Sequence, residues 1–389
     1  MKHAVDVIII GGGIHGASLA YHFAMRGMKA LVLEKNVLAS GATGRSSGLL
    51  RMHYDLELDS RLAWLSFQYY REWSERIGGD CGFTRTGFIQ LVKPAYTEQL
   101  KANVAMNQRV GIPSFVVTND DVHRLAPCFA CDDFQIAAYE PESGYADPFS
   151  ATQGFMQAAR ARGARLLQGC QVVDVLTTDS KVTGVETNQE SFSANIVVNA
   201  AGAWAAEIGA MVGLDIPVDT WLHETMFTRR PVGLHTAHPS VIDDINTMYF
   251  RPETGNLTLV GMEDDNPIGM PPDFGYDYAR QGFVDRAADH ICRRIPAMEH
   301  GSLQSAQTGF DGITLDQRAL LGQAGPEGFY LVCGFSGTGF KLAPAVGICM
   351  VEWIMDGEAK TVDISPFRLS RFKEGKPLKG EHAYENIWR

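Results

Sequence analysis

A mixed α/β fold is predicted by three observations in this 389-residue chain. Near the N-terminus an apolar run meets a glycine-rich turn and a helical stretch, "VDVIIIGGGIHGASLAYHFAMRGMKALVLEK", residues 5–35. Near the C-terminus "GFYLVCGFSGTGFKLAPAVGICMVEWIMDG" repeats the order of buried strand, glycine turn and helix. Between them, "TGFIQLVK", "DTWLHETMFTRR" and "TMYFRPETGNLTLVG" read as strands outside any strand–helix–strand unit.

Residues 5–10 are apolar on both alternations, as a parallel strand buried on both faces requires. Gly11, Gly13 and Gly16 follow at G-x-G-x-x-G spacing, enclosing Ile14 and His15. The helical run 17–26 stops at Gly27, and "KALVLEK" returns as a second strand, so the unit is βαβ and Rossmann-like. Gly11 makes the tight turn, Gly13 lets backbone approach a pyrophosphate, and Gly16 lets the helix pack close to the strand. The helix N-terminus offers free N–H groups and a positive dipole end to phosphate. Glu34, followed by Lys35, stands 23 residues after Gly11, where an acidic side chain reaches a ribose hydroxyl. The expected ligand is an adenine dinucleotide with an unphosphorylated ribose; the motif itself does not choose between FAD and NAD.

Further on, "GCQVVDVLTTDSKVTGVETNQESFSANIVVNAAGAWA" reads as strand, hairpin and strand through Val172 and Val173, then a buried strand at 196–199. That strand runs into Ala200, Ala201, Gly202 and Trp204, where small residues admit close approach of a ligand. The C-terminal turn, through Gly334, Gly337, Thr338, Gly339 and Phe340, opens a second helix whose N-terminus suits negative charge on a reduced ring system.

A formal net charge of -11 argues against nucleic-acid binding, which needs a basic surface. No run approaches the eighteen apolar residues of a membrane span, and the N-terminal apolar run leads into glycines rather than a cleavage site. The expected location is the cytoplasm. Seven cysteines (Cys81, Cys128, Cys131, Cys170, Cys292, Cys333, Cys349) are an odd, scattered set and not a disulfide framework. Cys128 and Cys131 form one CxxC with no second pair or His cluster to complete a zinc site, and no metal is expected. The segment 371–389 is polar and expected to extend along the surface.

With these stretches in order, the chain resembles the FAD-dependent amine oxidoreductases of the D-amino-acid oxidase superfamily, most closely the sarcosine oxidase branch (monomeric enzymes and β subunits). The motifs are the N-terminal turn with Glu34, "SGATGRSSGLLRMHY" (residues 40–54), "VVNAAGAWA" (197–205), "YFRPETG" (249–255) and "GFSGTGFKLAPAVG" (334–347). The resemblance implies FAD as cofactor and a fold of two interleaved parts: a discontinuous FAD-binding domain (1–80, 150–215 and 310–370) and a mixed-sheet substrate-binding domain (81–149 and 216–309), ahead of the tail. It adds Ser40, Ala42, Thr43, Arg45, Ser46, Ser47 and Gly48 to the cofactor-binding residues.

In that branch an arginine after the "SG" stretch and a lysine after the C-terminal turn hold the substrate carboxylate; their matches are Arg51 and Lys341. Arg supplies a planar fork and Lys a point charge. Tyr249 matches a tyrosine beside that carboxylate. Glycine oxidases place an arginine before the aspartate matching Asp316, whereas here only Arg318 follows it. The cysteine that tethers flavin in monomeric sarcosine oxidases falls on Gly309, so the expected FAD is non-covalent, and their oxygen-activating lysine aligns with Leu259, which puts efficient oxidase activity in doubt.

The implied reaction is oxidation of a small amino acid, preferably a secondary amine such as sarcosine, another N-substituted amino acid or proline. A hydride passes to flavin N5 and the imine hydrolyses. Two cations near the carboxylate depress the substrate ammonium pKa, and His53 and His223 are conceivable proton acceptors. Three alternatives stay open: a catalytic subunit of a hetero-oligomeric dehydrogenase that passes electrons to a partner protein, a 2-hydroxy acid oxidase, and a flavoprotein without turnover.

Overall fold

The computed structural model describes residues 3–234, 237–273 and 278–384. Its N-terminal strand, Val7–Ile10, lies between the parallel strands Ala30–Leu33 and Val197–Asn199. They belong to a six-stranded sheet in the order Arg165–Leu167, Ala30–Leu33, Val7–Ile10, Val197–Asn199, Phe329–Cys333 and Leu320–Gln323, parallel except for the last strand.

Both faces of Val7–Ile10 are covered, which is why it reads as an unbroken apolar run. Val7 and Ile9 pack with Ala17, Phe23 and Val346 from the helices Ile14–Met25 and Gly339–Asp356. Ile8 and Ile10 pack with Val175, Val185 and Phe192 of a second, four-stranded sheet. The first helix begins at Ile14, a turn earlier than the run 17–26 suggests, so the N–H groups inside the glycine motif already belong to a helix start.

The Gly339–Asp356 helix carries Pro344, which has no N–H to give the carbonyl of Phe340 four residues earlier. The buried Tyr70 hydroxyl donates to that carbonyl at 2.7 Å. Tyr70→Phe leaves the carbonyl buried and unmatched beside Lys341; a loss of about 1–3 kcal/mol is expected in chemical denaturation.

An eight-stranded mixed sheet runs in the order Ser302–Thr314, Val218–Arg229, Leu257–Met262, Met248–Glu253, Ser240–Asp243, Phe88–Leu91, Ile136–Glu140 and Phe115–Thr118. The segments that stood outside any βαβ unit are all in it. One face buries Val241, Phe250, Val260 and Met262 under Phe283, Ala287 and Ile291 of the Gln281–Arg294 helix. Strand alternation turns Tyr249 to the other face. There it pairs across to Gly261, where a Cβ would stand 2.1 Å from the tyrosine ring, so the glycine makes room for it.

The C-terminal segment keeps to the surface for most of its described length, with residues 373–377, 379, 381 and 383 exposed, and is anchored at two buried side chains, Arg371 and Tyr384. Arg371 is buried and forks onto Asp316 with two 2.8 Å hydrogen bonds, Leu378 N–H donates to the same carboxylate, and Tyr384 is buried against His53. Arg371 is the charge that this segment places inside the fold, while residues 385–389 lie outside the described ones.

Candidate active site

The two glycine turns meet at the ends of the parallel strands and open a long cleft. It encloses about 1870 Å³ counted with its open mouth. Gly11 has φ +112°, and a Cβ on it would lie 2.4 Å from the carbonyl oxygen of Ala200. Gly16 sits behind the turn, its Cβ position 2.0 Å from the Gly11 carbonyl oxygen, so it does not line the cleft but lets the helix close on the strand. Thr43 Oγ1 accepts from Ile14 N–H at 3.1 Å, tying the 40–48 stretch to the helix start.

At one end Glu34 accepts from Gly12 N–H at 2.8 Å and Asn36 N–H at 2.7 Å, which fixes its carboxylate at the strand end. Lys35 lies 3.9 Å over the Trp204 ring and pairs with Asp273 at 2.7 Å. His15 and Phe335 join the two turns: their rings stack at 3.8 Å and 11°. Burial pulls the His15 imidazole down to about 3, against a small opposing effect of the Gly339 backbone, so the ring is neutral. Asp311 links the second turn to the eight-stranded sheet by accepting from Gly312 N–H at 2.8 Å and Gly337 N–H at 2.7 Å.

At the other end the cleft is lined by Arg51, Lys341, Tyr249, His223 and Ile242. Arg51 is buried, donates to the backbone carbonyl of His53, and lies 4.4 Å over the Tyr54 ring. Lys341 Nζ is 6.0 Å from the centre of the same ring. The two side chains therefore share one aromatic platform. Burial, and then the Arg51 charge, hold the Lys341 ammonium well below the usual lysine range.

Most of the residues singled out in the sequence line the cleft: Gly11, Gly13, Ile14, His15, Glu34, Lys35, Ser40, Ala42, Thr43, Arg45, Ser46, Ser47, Arg51, Val172, Ala200, Ala201, Gly202, Trp204, Tyr249, Gly337, Gly339, Phe340 and Lys341. Gly16, Gly48, Val173, Gly334 and Thr338 are not among the lining residues. Val173 is 48% exposed at an irregularity in the Val172–Thr178 strand, which turns it outward. Gly48, at φ +67°, packs its Cα against the Ala146 carbonyl oxygen, and Gly334 packs against Thr314. Leu259 is buried and also absent from the lining. His53 points elsewhere, its Nε2 2.9 Å from the Tyr384 hydroxyl. Arg318 is committed to Asp55 at 2.5 Å and Asp59 at 2.9 Å. Asp311, Phe335, Cys170 and Gln171 line the cleft without having been picked from the sequence.

The cleft fits FAD on its own geometry. A helix start with glycines that admit no Cβ faces the place of a pyrophosphate, and a fixed carboxylate stands at the ribose end. A second helix N-terminus closes the far end. The comparison with protein families agrees, since residues 6–353 match the model described as "FAD dependent oxidoreductase" (DAO). The chain belongs to this family.

As a DAO-family FAD-dependent oxidoreductase, it uses FAD as its cofactor. It is 31% identical to mitochondrial sarcosine dehydrogenase of Homo sapiens, over 96% of this chain and 42% of that protein, so it spans less than half the length of that relative. The solved structure of L-proline dehydrogenase from P. horikoshii superimposes with a TM-score of 0.90 at 28% identity, covering 97% of this chain and 100% of that one. Glycine oxidase from Geobacillus kaustophilus superimposes with a TM-score of 0.83 at 27% identity, over 95% and 99% of the two chains. No helix among the described residues is long and apolar enough to cross a membrane.

Proposed function

We propose that this chain oxidises the C–N bond of a small amino acid, preferring a secondary amine such as sarcosine, another N-substituted amino acid or proline. The observation that carries the reading is the placement of Arg51 and Lys341 over one aromatic platform in the cleft that fits the cofactor. A carboxylate is the ligand such a pair selects: the guanidinium presents two parallel N–H donors, and each charge-assisted bond contributes about 1.5–3 kcal/mol. Bound FAD supplies the hydride acceptor, and the imine product hydrolyses in water. The chain's own part is to hold the carboxylate so that the carbon next to nitrogen meets the ring system, and to wall the site with Tyr249, Ile242 and His223.

The cofactor is held without a covalent bond in this reading. Gly309 lines the cleft, and a Cβ there would stand 2.5 Å from Arg45 Cβ, so a side chain bearing a thiol has no room. Similarity to proteins named sarcosine dehydrogenase and L-proline dehydrogenase supports a second element of the proposal, that electrons leave to a partner rather than to oxygen.

The test is anaerobic addition of sarcosine, other N-alkyl amino acids, proline, D-alanine and glycolate to the FAD-loaded protein, followed by air. Bleaching of the visible flavin spectrum by a secondary amino acid, with slow recovery in air, is the expected result. Bleaching by glycolate alone would move the reading to hydroxy acids, and a flavin that every compound leaves oxidised would overturn it.

A further inference from the structure

Lys341 occupies a place that disfavours its charge. It is 7% exposed, lies in the first turn of the Gly339–Asp356 helix, and lines the cleft. Among the described residues no hydrogen-bond acceptor and no ion-pair carboxylate meets its Nζ. The acids that face it are engaged elsewhere: Asp311 by the N–H groups of Gly312 and Gly337, Asp59 by Arg318. Arg51 brings a second cation to the same Tyr54 ring. A helix start adds positive potential of its own. Desolvation, the like charge of Arg51 and the helix end act towards a neutral amine and outweigh the opposing charges of Asp311 and Asp59.

The other groups around the cleft are poorer bases or are occupied. Burial pulls His223 and His15 each down to about 3. His53 lies outside the lining with its ring on Tyr384. Burial pushes the Tyr54 and Tyr249 hydroxyls up, so neither is an anion near neutral pH.

We infer that Lys341, as the free amine, is the proton acceptor that converts the bound substrate ammonium into the reactive amine. The inference rests on the amino-acid reading above. One N–H bond of the substrate ammonium breaks, and its proton goes to the Nζ lone pair. The substrate nitrogen keeps the electron pair needed to form the imine. The new Lys341 ammonium then pairs with the carboxylate that Arg51 holds, so the arriving anion supplies its counter-charge. Lys341 thus acts first as base and then as clamp.

The FAD-loaded wild type, Lys341→Arg and Lys341→Met separate the two roles. Acetate binding is measured by calorimetry at pH 8 in buffers of different ionisation heat, and flavin bleaching by sarcosine is followed anaerobically across pH. Wild type is expected to take up about one proton per acetate bound, because a carboxylate beside a neutral lysine raises its pKa. Lys341→Arg retains a cation and binds acetate without proton uptake. Its bleaching rate at neutral pH falls by about 100-fold or more, the scale of a lost general base. The rate recovers as pH approaches the substrate's own ammonium pKa. Lys341→Met loses both acetate affinity and neutral-pH bleaching. Near-wild-type bleaching by Lys341→Arg at neutral pH would overturn the inference, as would acetate binding to wild type without proton uptake. The wild-type uptake measurement decides even if a variant does not fold. A wild type that no amine bleaches would overturn the amino-acid reading itself, a result distinct from wild-type bleaching with an unimpaired Arg variant.

Discussion

Gly11→Ala is expected to be recovered without FAD. The backbone there has φ +112°, and the added methyl would meet the carbonyl oxygen of Ala200 at 2.4 Å and its carbonyl carbon at 2.9 Å. Both are main-chain atoms of the strand end that forms the opposite wall of the turn, so neither can rotate aside. A left-handed alanine costs about 1–3 kcal/mol before any clash is counted. Relief of the clash moves the first turn away from the Ala200–Ala201 wall and widens the place where the pyrophosphate meets the helix start. Visible flavin absorbance of the purified protein measures the effect, with far-ultraviolet circular dichroism to show that the chain remains folded. Stoichiometric FAD at wild-type affinity would contradict this account of the turn.

Arg51→Met is expected to keep FAD and lose the amino acid. Its guanidinium is at the substrate end of the cleft, and the residues that fit the dinucleotide lie at the other. Methionine fills the apolar volume over Tyr54 without the donors. Removal of a charge-assisted pair of bonds costs about 3 kcal/mol or more, roughly 100-fold in the amino acid concentration needed for half-bleaching. Arg51→Lys restores the charge but not the planar fork and should fall between. An unchanged half-bleaching concentration in Arg51→Met would remove Arg51 from the site.

The parts of the molecule legible in the sequence are those whose physics is local. Strand 7–10, the three glycines and Glu34 declare themselves within about thirty residues, because turn, helix start and strand end are neighbours along the chain. The second turn is legible for the same reason. What joins the turns is not local: His15 stacks on Phe335, 320 residues away, and Asp311 of the eight-stranded sheet accepts from Gly337 of the second turn. No spacing rule announces either contact. Register decides others. Tyr249 faces the cleft because Gly261 opposes it, and Val173 faces outward because its strand is irregular after Val172. In the C-terminal segment composition misleads at one position: Arg371 reads as a surface charge, whereas Asp316, 55 residues earlier, holds it inside.

The central claim is that this cleft takes a substrate by its carboxylate and oxidises the neighbouring C–N bond. The most direct measurement is the anaerobic flavin spectrum of the FAD-loaded wild type with sarcosine, set beside the spectrum with dimethylamine, which keeps the secondary amine and lacks the carboxylate. Bleaching by sarcosine and none by dimethylamine at equal concentration is the predicted result. Equal bleaching by both, or none by sarcosine, would contradict it.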